Sequence, residues 1–258
     1  MPTHAALSSV TLILAAALLA GCTGGQQPDR SPVTVASQAR LLTNLAAFAA
    51  PPQGAAAMVS SYDRTGGNKD GGLWVISGGP DADGEVDVAT LLGPGCVTRI
   101  WETSVPAEEW RFYFDGEASP RLRLTTKQLF GEAFPFVPPL ADLVSAGRFS
   151  QVPLPYEESL RIAVYAPDRP SSKLDYVHVG YNTYGRGQRV ASYPRTLDTR
   201  TTNTIQAVRS VWDSLDTSLR KIVDETAASW SGTIGPRTAQ PWFEQDTAGT
   251  LAAFWLRI

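Results

Sequence analysis

The sequence predicts a mainly β protein: a jelly-roll β-sandwich with a long flanking helix and the start of a second jelly roll. Glycine (22 residues) and proline (19 residues) are abundant, as expected for a chain with many turns. From residue 55 to about 195, short runs rich in Val, Ile, Phe, Tyr and Trp alternate with Gly, Pro and Asp clusters. Strands at this spacing are typical of sandwiches and jelly rolls.

The first predicted element after the N-terminal region is a helix over residues 37–50. Leu41, Leu45 and Phe48 recur at helical spacing, and Ser37 is a suitable N-cap. Two prolines at 51–52 end the helix, because proline lacks the backbone N–H that a helix needs. We therefore place this helix before the predicted sandwich of residues 55–195.

Three segments carry the strand prediction most clearly. They read RFYF at 111–114, LRIAVY at 160–165 and YVHVGY at 176–181. The first is followed by Asp115-Gly116, a pair that favours a tight turn. Each segment is short and rich in β-branched or aromatic residues, as half-buried strands are.

A second helix is predicted over residues 203–228, since one apolar stripe runs through Ile205, Val208, Trp212, Leu215, Leu219 and Ile222. Residues 231–258 return to strand-like texture and end on TLAAFWLRI. A strand without a following partner leaves an open sheet edge, and 28 residues are too few for a domain of their own. We expect the chain to be a fragment that is cut where a second β-domain begins.

The N-terminus predicts export and lipid anchoring. Residues 10–20 form an apolar run too short to span a bilayer, and it ends in LAGC at 19–22. A short apolar run before small residues is typical of a signal peptide, and this ending resembles a bacterial lipobox. We expect a signal peptide over 1–21, a lipidated Cys22 and a polar tether over 22–36, which place the protein on the cell envelope.

Composition argues against several classes of function. The net charge is −3, whereas nucleic-acid binding favours a basic surface. The two cysteines, Cys22 and Cys96, and the two histidines, His4 and His178, make a disulfide framework, a zinc site or a Ser-His-Asp triad poor interpretations. No cofactor motif is present, and the acidic run at 81–85 is better read as a β-turn than as a calcium loop. We expect no cofactor, no metal and no nucleic-acid partner.

The most unusual segment is the loop at 60–72, which reads SSYDRTGGNKDGG. Carboxylate, guanidinium and amide groups beside an aromatic ring suit a polyhydroxylated ligand, because such groups hydrogen-bond hydroxyls in pairs. The alternative is a solvated loop closed by an internal Asp63–Arg64 or Asp70–Arg64 pair.

Six segments of the chain form an ordered set of motifs: SSYDRTGGN at 60–68, LGPGCVTRIW at 92–101, FYFDGE at 112–117, LFG at 129–131, PLPY at 153–156 and the Tyr-rich strand from 176 to 184. In this order they resemble glycoside hydrolase family 172. The resemblance covers residues 60–184 and concerns the N-terminal part of the family's architecture.

The resemblance implies two jelly-roll sandwiches, homo-oligomers, and exo-acting hydrolysis or transfer on furanosides with retention of configuration. The furanosides are of the α-D-arabinofuranoside or α-D-fructofuranoside type. Retention requires two carboxyl groups about 5–5.5 Å apart. The family's catalytic glutamates are expected in the second sandwich, so no catalytic residue is assigned here.

The substrate contacts that the resemblance implies are Tyr62, Asp63, Arg64 and Asn68. Trp101 is a further candidate, because an indole stacks on a sugar face, although a Trp at the end of an apolar strand is more often a core residue. Glu102 and the pair Glu157-Glu158 are the other acids of interest within the chain, and a solvated face is the better interpretation of the pair. A non-catalytic carbohydrate-binding or assembly module of the cell envelope stays open as the alternative.

Overall fold

The computed structural model describes residues 31–48, 53–67, 70, 80–103, 109–166 and 176–222. Within these residues the protein is mainly β, with two antiparallel sheets. The first sheet contains, in spatial order, β1 (Ala55–Ser60), β10 (Tyr176–Thr183), β3 (Gly95–Thr103), β7 (Gly147–Ser150) and β6 (Ala141–Val144), and β8 (Leu154–Tyr156) also pairs with β3. The second sheet contains β2 (Glu85–Leu92), β9 (Ser159–Tyr165), β4 (Glu109–Phe114) and β5 (Leu122–Leu124). The mainly β prediction is confirmed.

The core lies between the two sheets, and the side-chain alternation that builds it is clearest along β4. On β4, Trp110, Phe112 and Phe114 are fully buried, while the residues between them are half-buried. Ile100 and Val179 contribute from the first sheet to the same apolar cluster. Because successive strand residues face opposite sides, one face of each sheet enters the core and the other is left for polar or binding side chains.

The turn after β4 is formed as the sequence predicts. Asp115 and Gly116 both have positive φ angles, 53° and 74°, and the N–H of Glu117 donates to the carbonyl of Phe114 at 2.9 Å. This is the geometry of a type I′ turn, in which Asp and Gly are the favoured central residues.

The predicted single helix over 37–50 is corrected to two short helices within the described residues. They are α1 (Val35–Leu41) and a 3-10 turn (Leu45–Phe48). Thr34, rather than Ser37, is the N-cap: its hydroxyl accepts from the N–H of Ser37 at 3.0 Å, and the Ser37 hydroxyl accepts from the N–H of Thr34 at 2.8 Å. This reciprocal pair fixes the helix start two residues before the predicted one.

The long flanking helix, α2 (Thr199–Ile222), begins four residues before the predicted start at 203. The carboxylate of Asp198 accepts from the N–H of Thr201 at 2.7 Å, which is an N-cap interaction. Ile205 is buried in the core, and the indole N–H of Trp212 donates to the carbonyl of Leu42 at 3.0 Å. Helix α2 therefore packs on both the sandwich and the α1 region.

Several sequence predictions lie outside the described residues. They are the signal peptide at 1–21, Cys22, Asn68, the end of the second helix after 222, and the β segment at 231–258. Among the helices that the structure does describe, none combines the length and apolar character needed to cross a membrane.

Candidate functional site

The loop that follows β1 is fixed to the first sheet by Ser61. The N–H of Ser61 donates to the carbonyl of Val177 at 3.1 Å, and the N–H of Val177 donates to the Ser61 hydroxyl at 3.0 Å. Ser61 is buried, so this reciprocal pair continues the β1–β10 ladder by one residue. The next residues, Tyr62 onward, leave the sheet at a defined point beside β10.

Acidic side chains give the loop its shape. One carboxylate oxygen of Asp63 accepts from the Thr65 N–H at 2.9 Å and from the Thr65 hydroxyl at 2.7 Å. The carboxylate of Asp70 accepts from the N–H of Asp63 at 2.7 Å. Gly66 has a φ of +77°, a conformation that glycine adopts without strain. Asp63 and Asp70 thus close a compact turn through local hydrogen bonds.

Arg64 folds back over Tyr62. Its guanidinium carbon lies 3.7 Å from the centre of the tyrosine ring. It donates to the carbonyls of Tyr62 and Ser60 at 2.7 and 2.8 Å. A guanidinium carries five N–H groups, so three have no partner among the described residues. Tyr62 is 55% exposed, and its hydroxyl makes no hydrogen bond with the described residues.

The structure therefore brings Tyr62, Asp63 and Arg64 together in one loop, with Asn68 outside the described residues. The alternative of an Asp70–Arg64 pair is not what forms: Asp70 accepts from a backbone N–H, and Arg64 contacts carbonyls and a ring. Tyr62 and Arg64 present an aromatic surface and charged donors to solvent. Both features suit a neutral, hydroxyl-rich ligand.

Trp101 lies on the outer face of the first sheet and not in the core. Its neighbours along β3, Ile100 and Glu102, are buried, while Trp101 is half-buried. Its ring lies 5.0 Å from that of His178, centre to centre, at an interplanar angle of 37°. This placement leaves Trp101 available as a substrate-contact candidate.

His178 is predicted from the sequence only as a strand residue, and it does lie on β10. Burial, together with the charge of Arg99, lowers the pKa of its imidazole, so the ring is neutral at pH 7. No sequence signal pairs His178 with Trp101, because the two are brought together by strand register.

Glu102 is fully buried, with no exposed surface. The Nη1 atom of Arg148 lies 2.6 Å from its carboxylate, and such pairing is what allows a carboxylate to be buried. The other acids of interest, Glu157 and Glu158, are exposed in the turn between β8 and β9.

A further ionic cluster covers the outer face of the second sheet. The Glu85 carboxylate accepts from Arg111 at 2.7 Å, from Arg161 at 2.8 Å and from the Tyr113 hydroxyl. Burial opposes ionisation of Glu85, but these donors outweigh it and hold its pKa below the usual value. Since a general acid must carry a proton near neutral pH, Glu85 is unsuited to that role.

Two surface grooves lie away from the loop. One, of about 690 Å³, runs between α1 and α2, and another, of about 530 Å³, is lined by residues near Pro32, Pro94 and 186–191. The described residues contain no group of His, Cys, Asp and Glu suited to a metal ion. The acidic run at 81–85 forms a turn, in which the N–H of Gly84 donates to the carbonyl of Asp81 at 3.0 Å.

The described residues form an antiparallel β-sandwich with an exposed Tyr–Arg loop at one end of the first sheet. Comparison with known families agrees: the family model described as GH172 first beta-sandwich domain matches residues 52–201, more than half of the chain. The chain belongs to this glycoside hydrolase family, and the matched part is the family's first sandwich. A search among curated proteins gives no match.

Proposed function

We propose that this chain is the N-terminal part of a cell-envelope lipoprotein with retaining, exo-acting furanosidase activity. Its substrates would be furanose-containing glycans, of the α-D-arabinofuranoside or α-D-fructofuranoside type. The lipobox at 19–22 supports export and anchoring through Cys22. Membership of GH172 supports glycoside hydrolysis. Self-association into a homo-oligomer belongs to the same proposal.

The observation that carries the proposal is the loop geometry at Tyr62 and Arg64. The guanidinium is held in place by two carbonyls. Its remaining N–H groups are therefore fixed in direction, and no acid among the described residues forms an ion pair with them. The exposed tyrosine adds a ring edge and a hydroxyl. Fixed planar donors beside an aromatic group recognise vicinal hydroxyls, which unsubstituted arabinofuranosides and fructofuranosides present.

The proposed roles of the loop residues are of two kinds: contact with the sugar and maintenance of the loop conformation. Arg64 and Tyr62 would contact the sugar, and Asp63 would hold the loop through Thr65. Replacing Asp63 or Arg64 by alanine should therefore impair turnover in a chain that carries the catalytic carboxylates, while the sandwich stays folded. The described residues of the loop contribute nothing to the core cluster, which is why folding should survive.

Binding of arabinofuranosyl oligosaccharides to the 258-residue chain, measured by calorimetry, tests the proposal. Arg64→Ala should weaken binding about tenfold or more, since a charged hydrogen bond to a ligand contributes about 1.5–3 kcal/mol. The matched control is Arg186→Ala, which removes another exposed arginine and should leave affinity unchanged. Equal affinity of both variants and the parent, or no binding of any furanoside, would overturn the proposal.

The alternative is a non-catalytic carbohydrate-binding or assembly module. It is favoured by one observation: Glu85 and Glu102, the buried glutamates among the described residues, are both held by arginines. This alternative predicts furanoside binding or self-association without release of free sugar. Release of arabinose or fructose from oligosaccharides by this chain, detected by chromatography, would exclude it.

A further inference from the structure

A row of side chains crosses the outer face of the first sheet, starting at the loop. Strand register pairs Ser60 with His178, His178 with Trp101, and Trp101 with Phe149. Directly paired residues of antiparallel strands point to the same face. The row therefore carries three ring side chains on neighbouring strands, and all three are half-buried.

A glycine sets the orientation of the indole at the centre of this row. A Cβ atom on Gly147 would lie 2.7 Å from Nε1 of Trp101, closer than real side chains approach. The indole can lie against β7 only because residue 147 has no side chain. Gly147 has no positive φ, so its role is this close approach and not backbone freedom. His178 borders the indole on the opposite strand.

The row is continuous with the Tyr62–Arg64 loop. Arg64 donates to the carbonyl of Ser60 at 2.8 Å, and Ser60 is the first member of the row. Trp101 lies two strands from β1, which at the usual strand spacing is about 10 Å. The two rings of a disaccharide together extend over about this distance. A glycan with one ring beside Arg64 therefore places the next ring over the row.

The chemistry of the row suits a neutral sugar. Aromatic faces attract the C–H bonds of a sugar ring through the quadrupole of the π-system, and a neutral His178 adds a hydrogen-bonding edge. Arg99 lies on the same face and is exposed. It has no ion pair among the described residues, so its donors are open to ring hydroxyls.

We propose that Trp101, bordered by His178 and Phe149, is a stacking platform for a second furanose unit of the glycan. The inference rests on the proposed function of the Tyr62–Arg64 loop, and it extends that site along the sheet towards β7. It makes Gly147 a positioning residue, because the glycine acts only through the indole. It also predicts that longer ligands gain affinity through this platform while monosaccharides do not.

The test compares Gly147→Ala with Gly180→Ala by calorimetry, using an arabinofuranosyl disaccharide and methyl arabinofuranoside. The first variant must displace the indole, whereas a Cβ at Gly180 meets its nearest atoms at 3.8 Å, an ordinary contact. Gly147→Ala should lower disaccharide affinity about tenfold and leave the monosaccharide unaffected. Gly180→Ala should change neither affinity. Trp101→Ala should match Gly147→Ala, and Trp101→Phe should recover part of the loss.

A spectroscopic readout covers the case in which the variants fold poorly. The chain has two histidines, and the ring signal missing in His178→Gln identifies His178 by NMR. Disaccharide should shift this signal in the parent chain, and methyl arabinofuranoside should not. An unmoved His178 signal at saturating disaccharide overturns the platform. If Arg64→Ala abolishes binding while Gly147→Ala and Trp101→Ala bind normally, the platform fails and the loop proposal stands. If no furanoside binds at all, both fail.

Discussion

Asp115 joins two turns of the sandwich, and its replacement gives a measurable test of how the fold is held. Its carboxylate accepts from the backbone N–H groups of Glu157 and Glu158 at 3.2 and 2.9 Å, and Arg121 lies 3.3 Å away. Asp115 also has a φ of 53°. It therefore fixes the turn after β4 to the turn before β9 while adopting a backbone conformation that most residues avoid.

The cost of each substitution follows from these two roles. Asp115→Ala loses the charged acceptor of the N–H groups, about 2 kcal/mol at this partly exposed site, and adds about 1 kcal/mol of backbone strain. Asp115→Gly loses the acceptor without the strain, so it should cost about 2 kcal/mol. Asp115→Asn keeps an acceptor oxygen and tolerates the φ angle, so we expect a loss of about 1 kcal/mol.

Urea unfolding at pH 7 measures this order, with Asp115→Asn least and Asp115→Ala most destabilising. A reversed order of the glycine and alanine variants would show that the backbone argument is wrong. Burial opposes ionisation of Asp115, yet the N–H of Glu158, the Ser192 hydroxyl and Arg121 hold its pKa below the usual value. Its stabilisation is thus complete above the unfolded pKa of about 4 and is lost as pH falls through the folded pKa. The difference in stability between the parent chain and the Asp115→Asn variant should shrink in acid, and a difference that widens would refute the assignment.

Three other predictions each concern a single residue. Arg148→Ala should lower the free energy of unfolding by about 3 kcal/mol, because it removes the cation that lies 2.6 Å from the buried carboxylate of Glu102. Arg148→Lys should recover part of this stability in urea unfolding. An unchanged urea midpoint for the alanine variant would contradict the importance of the pair. Gly95→Ala places a Cβ against the buried phenol ring of Tyr156. It should lower the free energy of unfolding by about 1–3 kcal/mol, measured as a lower Tm. A Tm equal to that of the parent chain would show that the ring is free to move. Cys22→Ser should shift the protein from the detergent phase to the aqueous phase on detergent partitioning, and identical partitioning would argue against lipidation.

The strands were predictable where side-chain alternation is regular. Residues 111–114 and 160–165 both lie within strands as predicted. Buried and half-buried residues alternate along β4, whereas in β9 the run from Ile162 to Val164 is buried throughout. The starts of the helices were less predictable from the sequence. The capping pair at Thr34 and Ser37 lacks the acidic third residue that usually marks a capping box, so an apolar spacing starting at Leu41 was the stronger sequence signal.

The two parts of the candidate site differ in how much of their geometry can be predicted from the sequence. Tyr62, Asp63 and Arg64 are consecutive, so any fold that exposes the loop brings them together. Trp101 and His178 are far apart in the chain and meet because β10 pairs with β3 in one register. A register shift between Gly180 and Tyr181 interrupts the alternation along β10, and such an irregularity leaves no reliable trace in composition.

The loop geometry also decides how mutations in the motif should be interpreted. Arg64 reaches towards solvent with donors in excess of its two carbonyl partners, whereas one carboxylate oxygen of Asp63 is occupied twice by Thr65. Loss of binding in an Arg64 variant would therefore indicate a lost ligand contact. The same loss in an Asp63 variant is explained first by a changed loop, because the carboxylate of Asp63 bonds Thr65 within the loop. Under the proposed function, Asp63 therefore shapes the loop, and contact with the sugar is assigned to Tyr62 and Arg64.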